Sequence, residues 1–274
     1  MIFFLFILNL ICHSRTHFSI VIPSFNNIKW VDRNLCSALA QDYNNFEVIF
    51  IDDSSTDGTF ERANQISTTI FKGSPIKLFQ NKKRKGALEN YFYAIHNYCR
   101  DDSVVVTLDG DDWLANNNVL KKLDDIYTSN NCWLTYGQFR YYPQNPYPEI
   151  QERDGDLGMA RYYPHQVIRE RSFRTYREFY ATHLRTFYCW LFKKIKEEDL
   201  LDENNSFYTM SWDMAFMFPM LEMCGSRFFP IMDILYFYNC ENPLNDWRVE
   251  GGAVQEKTAN KIKKKPQYPI IESK

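Results

Sequence analysis

Phe46-Glu47-Val48-Ile49-Phe50-Ile51-Asp52-Asp53-Ser54-Ser55-Thr56-Asp57-Gly58-Thr59 is an apolar run that stops abruptly at acidic and small residues. Val104-Val105-Val106-Thr107-Leu108-Asp109-Gly110-Asp111-Asp112 repeats the arrangement further along the chain. Runs of β-branched and aromatic residues of this length read as buried parallel strands. In open α/β sheets, ligands bind in the crevice outside the carboxyl ends of the strands. Acidic groups placed there repel a phosphate unless a divalent cation sits between them. The two stretches therefore predict an α/β fold with a metal-assisted site for a nucleoside diphosphate.

Working outward, Phe18-Ser19-Ile20-Val21-Ile22-Pro23 reads as a first buried strand, and Trp30, Val31, Leu35, Ala38 and Leu39 recur at helical spacing. After the Asp57-Gly58 turn, Phe60 to about Ile70 is predicted helical, and Pro75 to Phe79 a short strand. The basic run Lys82-Lys83-Arg84-Lys85 leads into Gly86; Ala87, Tyr91, Ala94, Ile95 and Tyr98 then share one helical face. A helix carrying Val119, Leu120, Leu123 and Ile126 precedes a strand over Cys132 to Tyr136. This alternation indicates a mostly parallel sheet flanked by helices through about residue 137. Beyond it, residues 141–168 read as a long loop, helical periodicity returns around 175–200 and at 211–224 with Pro219 as a kink, and Asp233 to Tyr238 forms a late strand.

Composition narrows the classes. The 274 residues fit one large domain or a domain with an appendage, and a formal net charge of −2 supplies no field for nucleic acid. Aromatic residues make up 17% of the chain, which a core mostly explains and a sugar-stacking cleft explains in part. The seven cysteines form no Cys-x-x-Cys pair, so neither a structural zinc site nor a disulfide framework is legible. Met1 to Ile11 is almost wholly apolar, too short to span a bilayer as a helix and suited to a secretory h-region or an anchor, though no Lys or Arg precedes it. A secretory or membrane-associated location is favoured on that basis, and some cysteines would pair there.

Four elements in order resemble the family 2 glycosyltransferases of GT-A fold: Ile22-Pro23-Ser24-Phe25-Asn26, Ile51 to Thr59, Asn81 with Gly86 and Asn90, and Leu108-Asp109-Gly110-Asp111-Asp112. The resemblance covers roughly residues 17–135, plus Trp212-Asp213. It implies a nucleotide-sugar-binding half over 16–137 and an acceptor-binding, catalytic half over 138–250; composition sets apart an apolar segment at 1–15 and a basic tail at 251–274, read as disordered, with membrane-surface contact as the second reading. Pro23, Phe25 and Asn26 would line the base and ribose. Asp53, with Ser55 and Asp57, would hold the uracil or ribose, and Gly86 and Asn90 would complete that pocket. Asp109, Gly110 and Asp111 match the family's Asp-x-Asp element, implying that Asp109, Asp111 or Asp112 holds Mn²⁺ or Mg²⁺; spacing does not choose between Asp111 and Asp112. Independently, a hard cation takes carboxylate oxygens together with substrate phosphates and acts as a Lewis acid on the leaving diphosphate. Gly110 lets the backbone turn so that the acids face one side.

The family's base is an acid at the start of a later helix, often in a Glu-Asp pair. Here Trp212 stands where the first acid usually does and Asp213 is kept, with Ser211 as a candidate cap. A base role needs an apolar surround, which Trp212 would supply; the alternative is an acid placed favourably in a helix's first turn. No His follows the last strand, where many relatives have one; Glu241, Asp246 or a shifted His183 are the substitutes in view. His183 and Arg185 are read as part of an aromatic helix, either functional or a satisfied histidine. Trp247 and Arg248 are placed in a loop near the donor. The Lys82 to Lys85 run is read as a solvated loop, with steering of an anionic donor as the second reading.

The expected function is an inverting transfer of sugar from a nucleotide donor, a UDP-sugar first, to a glycan, lipid or protein hydroxyl. The competing readings are a sugar-phosphate nucleotidyltransferase, which should carry a Gly-rich basic loop after its first strand, and a non-catalytic nucleotide- or glycan-binding relative.

Overall fold

The computed structural model describes residues 15–144, 157–245 and 252–273. The apolar N-terminal stretch, Asp246, Trp247 and Arg248 lie outside the described residues, as does the middle of the 141–168 loop.

Four parallel strands form one half of the sheet: β1 (Phe18–Ser24), β2 (Phe46–Asp52), β3 (Ile76–Gln80) and β4 (Val104–Thr107). All seven β1 residues are buried, because β1 is central and covered on both faces. Ile20 and Ile22 pack with Val48, Phe50, Val104 and Val106 on one side, beneath α1 (Val31–Leu39) and α4 (Val119–Asn130). Val21, Ile49, Ile51 and Val105 face the other side, beneath α3 (Ala87–Asn97) and α7 (Trp212–Cys224). The short α2 (Thr59–Gln65), prolonged by a wider turn over Ile66–Ile70, joins β2 to β3.

The remaining strands are β5 (Trp113–Leu114), β6 (Leu134–Tyr142), β7 (Thr186–Tyr188) and β8 (Phe228–Asn239), giving one eight-stranded sheet in the order β3-β2-β1-β4-β7-β6-β8-β5. β7 runs antiparallel to both β4 and β6, β6 and β8 are parallel, and β5 is antiparallel to β8. The order turns back between β1 and β4, so their carboxyl ends flank a topological switch point, the usual position of a ligand crevice.

Five expectations are corrected. The stretch around 175–200 is not one helix: it supplies β7, the four-residue α6 (Cys189–Phe192) and a 3₁₀ turn over Glu197–Leu200. The open edge of β4 recruits Thr186–Tyr188 by long-range pairing, which overrides local periodicity. Residue 137 is no boundary, since it lies inside β6 and the sheet runs on through β7 and β8, with the late strand starting at Phe228. The tail is not disordered either. It forms α8 (Gly252–Lys263) and returns along α7, burying Ile262 and Tyr268. The short α5 (His165–Glu170) also arises within the predicted loop.

Only Asp213 of α7 escapes burial, so this helix depends on its surroundings rather than on an exposed polar face. It buries Glu222, which accepts from Arg174 Nε at 2.6 Å and Nη2 at 3.1 Å and from the Tyr268 backbone N–H at 3.0 Å. Arg174 also donates to the Ile262 carbonyl at 2.8 Å, tying the C-terminal segment to the core. Removing one partner of a buried pair strands the other charge and typically costs about 3–5 kcal/mol. Glu222→Leu is expected to lower the urea midpoint accordingly, with Arg174→Met/Glu222→Leu recovering much of the loss.

Candidate active site

The carboxyl ends of β1, β2 and β4 open into a cleft of about 510 Å³, within the range of small-molecule sites. Of the residues expected there, Pro23, Phe25, Asp53, Gly86, Asn90, Asp109, Gly110, Asp111 and Asp112 line it. Asn26, Ser55, Asp57 and Asp213 do not.

The first strand's loop is braced against the second. Asn26 has a positive φ of 51°; its N–H donates to Ser55 Oγ at 2.8 Å, and its Oδ1 accepts from the Thr56 N–H at 2.9 Å. Asp57 accepts from the Thr59 N–H and hydroxyl and from the Ile28 N–H, pinning the start of α2. Partial burial raises its proton affinity, but those hydrogen bonds outweigh it and hold the carboxyl below its ordinary range. These three residues shape the wall without forming it.

Asp53, almost fully buried, anchors the basic loop: Oδ1 accepts from Asn81 Nδ2 at 2.8 Å and the Lys85 N–H at 2.9 Å, Oδ2 from the Gly86 N–H at 2.8 Å. Asn81 also donates to Asn90 Oδ1, and Asn90 to the Gly86 carbonyl, so the Asn…Gly…Asn element is one hydrogen-bonded unit. It holds Lys85 and Arg84 at the cleft, with the Arg84 guanidinium 4.1 Å from the centre of the Phe25 ring.

The acid loop after β4 is pressed onto β1: a Cβ on Gly110 would lie 2.7 Å from Ser24 Cα, so only glycine fits. Asn34 of α1 donates to the carbonyls of Asp109 at 2.9 Å and Asp112 at 2.8 Å, closing the turn from below. The three carboxylates then diverge. Asp112 is buried, accepting from the Asn239 N–H at 2.7 Å and the Tyr236 hydroxyl at 2.5 Å. Asp111 accepts from Asn242 Nδ2 at 2.8 Å through one oxygen and keeps the other without a protein donor among the described residues. Asp109 accepts from the Tyr91 hydroxyl at 3.1 Å. Burial, then the charges of Asp111 and Asp109, push the Asp112 carboxyl well above its ordinary range, and burial also raises Asp111.

His183 stands with these acids. One ligand atom each from Asp109, Asp112 and His183 lies within 4.8 Å of the others, although His183 is not on the cleft surface. Its ring stacks on Tyr236, with centroids 4.6 Å apart, and burial followed by the Arg185 charge holds it well below the usual histidine value. Both oxygens of Asp112 are already engaged, whereas Asp111 has a free one. Asp109 and Asp111 are therefore the candidate carboxylates for a cation, while both oxygens of Asp112 are taken up by Asn239 and Tyr236. The donor set fits a hard divalent ion: oxygen ligands, and acids whose crowding a positive charge would relieve.

Asp213 lies just beyond the cleft wall, in the first turn of α7. It forms an ion pair with the buried Arg185 and accepts from the Met214 N–H at 3.0 Å. Ser211 does not cap the helix as expected; its hydroxyl donates to the Gln255 carbonyl at 3.0 Å, because the C-terminal segment returns to that point. His183 and Arg185 are correspondingly not helical but lead into β7.

A sequence model described as glycosyl transferase family 2 matches residues 19–201, more than half of the chain. The chain belongs to glycosyl transferase family 2. An uncharacterized glycosyltransferase of Haemophilus influenzae is 31% identical over 123 residues, 45% of this chain and 47% of that protein. The Escherichia coli UDP-Glc:alpha-D-GlcNAc-diphosphoundecaprenol beta-1,3-glucosyltransferase WfgD is 31% identical over 128 residues, 46% of this chain and 47% of that protein. The aligned part thus spans about half the length of these relatives. The fold is similar to that of S. aureus TarS 1-349 in complex with UDP-GlcNAc (TM-score 0.56, 17% identity, 83% of this chain and 59% of that one). It is also similar to the mannosyltransferase PcManGT from Pyrobaculum calidifontis in complex with GDP-Man and Mn²⁺ (TM-score 0.56, 16% identity, 82% and 57%). The α/β, GT-A type fold class thus stands.

Sequence reasoning missed Asn34, Tyr91, Tyr236 and Asn239, all of which hold the acids. Asn34 left a signal, a polar residue on the apolar face of α1 between Val31 and Leu35; the others read as ordinary core or strand-end residues. Loss of outer partners alone costs a metal site about 10–100-fold in affinity. Asp111→Asn should therefore weaken metal-dependent UDP binding at least that much in calorimetry, with the melting midpoint unchanged. Asp112→Asn should instead lower stability by about 1–3 kcal/mol, since its amide would face the Asn239 N–H.

Proposed function

We propose that this protein transfers a sugar from a nucleoside diphosphate donor, a UDP-sugar first, to an acceptor hydroxyl with inversion at the anomeric carbon. The observation that carries the reading is that Asp109 and Asp111 both line the cleft at the switch point, on a loop that admits only glycine at 110. Mn²⁺ or Mg²⁺ held by these two carboxylates would neutralise the departing diphosphate. The bound UDP-sugar in TarS and the bound GDP-Man and Mn²⁺ in PcManGT support a nucleotide and metal here.

In this reading Phe25 and Pro23 contact the base, Asp53 keeps the Lys82 to Gly86 loop against the nucleotide, and Arg84 and Lys85 offer positive charge to its phosphates. Asp213 takes the proton from the attacking hydroxyl as the new glycosidic bond forms and the sugar–phosphate bond breaks, while Arg185 fixes the carboxylate's direction. The acceptor belongs to the glycans, lipids or proteins that carry free hydroxyls; the lipid-linked sugar in the name of the E. coli relative supports a glycan-bearing one. A nucleotidyltransferase is disfavoured because the loop after β1 is short, non-glycine and tied to Ser55 and Thr59. Association with a membrane surface through the apolar N-terminal segment is part of the proposal.

Calorimetric titration of UDP, GDP and CDP, with and without Mn²⁺, tests the donor site; absence of metal-dependent binding for all three would sink the reading. General-base removal typically costs about 10²–10⁴-fold in rate. Asp213→Asn should lower turnover by that order with donor affinity unchanged.

A further inference from the structure

Two buried amides join the acid loop to the loop after β1. Asn27 and Asn242 are 5% and 6% exposed, and both line the cleft with Asp111. Asn242 lies in the turn after β8; its Nδ2 donates to Asp111 Oδ2 at 2.8 Å and to Asn27 Oδ1 at 3.2 Å. Its Oδ1 accepts from the Leu244 N–H at 3.0 Å. That bond fixes which way round the amide stands, since a backbone N–H is met only by the carbonyl end. Asn27 is oriented in the same manner: its Nδ2 donates to Ser24 Oγ at 3.1 Å, which leaves its Oδ1 to Asn242. Ser24 is packed against Gly110, the residue before Asp111. The contacts therefore close on themselves, from Asp111 through Asn242, Asn27, Ser24 and Gly110 back to Asp111.

Both loops are held without Asn242. Asn34 bonds the carbonyls of Asp109 and Asp112, and Asn239 Nδ2 donates to the Asp111 carbonyl at 3.1 Å. On the other side, the Asn27 N–H donates to Thr59 Oγ1 at 2.8 Å. What Asn242 adds is a grip on the Asp111 side chain, which has no other donor among the described residues. A hydrogen bond to a carboxylate is of the stronger, charge-assisted kind, and it restricts an otherwise rotatable group to one orientation. Asn carbonyls do ligate hard cations, but this one is turned to the Leu244 N–H, so Asn242 acts through its neighbour. We propose that Asn242 is the positioning residue of the cation site: it holds Oδ2 of Asp111 and leaves the other oxygen of that carboxylate for a divalent ion, without ligating the ion itself. This deepens the transferase reading and rests on it for the diphosphate that shares the ion.

The experiment uses the full chain as wild type, Asn242→Ala, Asp111→Ala and the double variant. Mn²⁺ binding is followed by electron paramagnetic resonance, and binding of uridine and of UDP, with and without Mn²⁺, by calorimetry. Removal of an outer partner of a metal ligand costs about 10–100-fold in affinity. Asn242→Ala is expected to weaken Mn²⁺ binding, and the gain that Mn²⁺ gives UDP, by that factor, with uridine affinity as in the wild type. In the Asp111→Ala background it should cost nothing more, because the loss runs through Asp111. Mn²⁺ binding unchanged in Asn242→Ala overturns the proposal, as does an equal loss of uridine binding, which would make Asn242 a general prop of the cleft. A further loss of Mn²⁺ binding when Asn242→Ala is added to Asp111→Ala also overturns it. Mn²⁺ binding that depends on Asn242, in a protein that binds no nucleotide, would reject the transferase reading and leave the positioning role standing. No Mn²⁺ binding in the wild type, with or without UDP, overturns both.

Discussion

Three carboxylates on four consecutive residues repel one another, and the need to hold them together at one end of β4 shapes much of the molecule around them. Asn34 closes the backbone of the loop from α1, Tyr91 reaches Asp109 from α3, and Tyr236, Asn239 and Asn242 reach Asp112 and Asp111 from β8 and the turn after it. These partners come from widely separated parts of the chain. A buried acid left without them would protonate or drive the loop apart. Both oxygens of Asp112 are engaged in holding the loop, whereas Asp111 accepts from Asn242 through one oxygen.

The same reasoning explains the second half of the chain. β7 and β8 complete the sheet and bring the Tyr236–His183 stack and the Asn239 backbone beneath the acid loop. α7 carries Trp212 to the cleft, with Asp213 just beyond its wall, but is too apolar to face water, so α6, the 3₁₀ turn at Glu197–Leu200 and the C-terminal segment enclose it. Tyr268 is central to that enclosure: its N–H donates to Glu222 and its hydroxyl to Asp199 at 2.5 Å, while accepting from the Lys196 N–H. Residues remote from the cleft in sequence thereby set where Asp213 stands.

Much of the nucleotide half was legible because its signals are local. Continuous apolar strands, helical spacing between them and acids at strand ends need no knowledge of the rest of the chain. Asp109, Asp111, Asp53, Gly86 and Asn90 fall where such reading puts them. It failed where pairing across distance decided the outcome. The aromatic stretch around Thr186–Tyr188 has residues equally at home in a helix or a strand, and the free edge of β4 made the choice. The basic tail looked solvated because its lysines dominate the composition, although Ile262 and Tyr268 were enough to fasten it once Glu222 and Arg174 were in place.

By itself, the sequence determined an α/β sheet with acids at its carboxyl edge and the residue types for a cation and a nucleoside diphosphate, because these follow from periodicity and from charge next to apolar runs. Only the tertiary structure decided that Asp109 and Asp111 stay partly accessible while Asp112 is buried as a strut, that Asn26, Ser55 and Asp57 brace the cleft without lining it, and that Trp212 lines it next to Asp213. Those outcomes depend on which oxygen finds a donor and which ring finds a backing, and both are contacts between residues that the chain brings together only on folding.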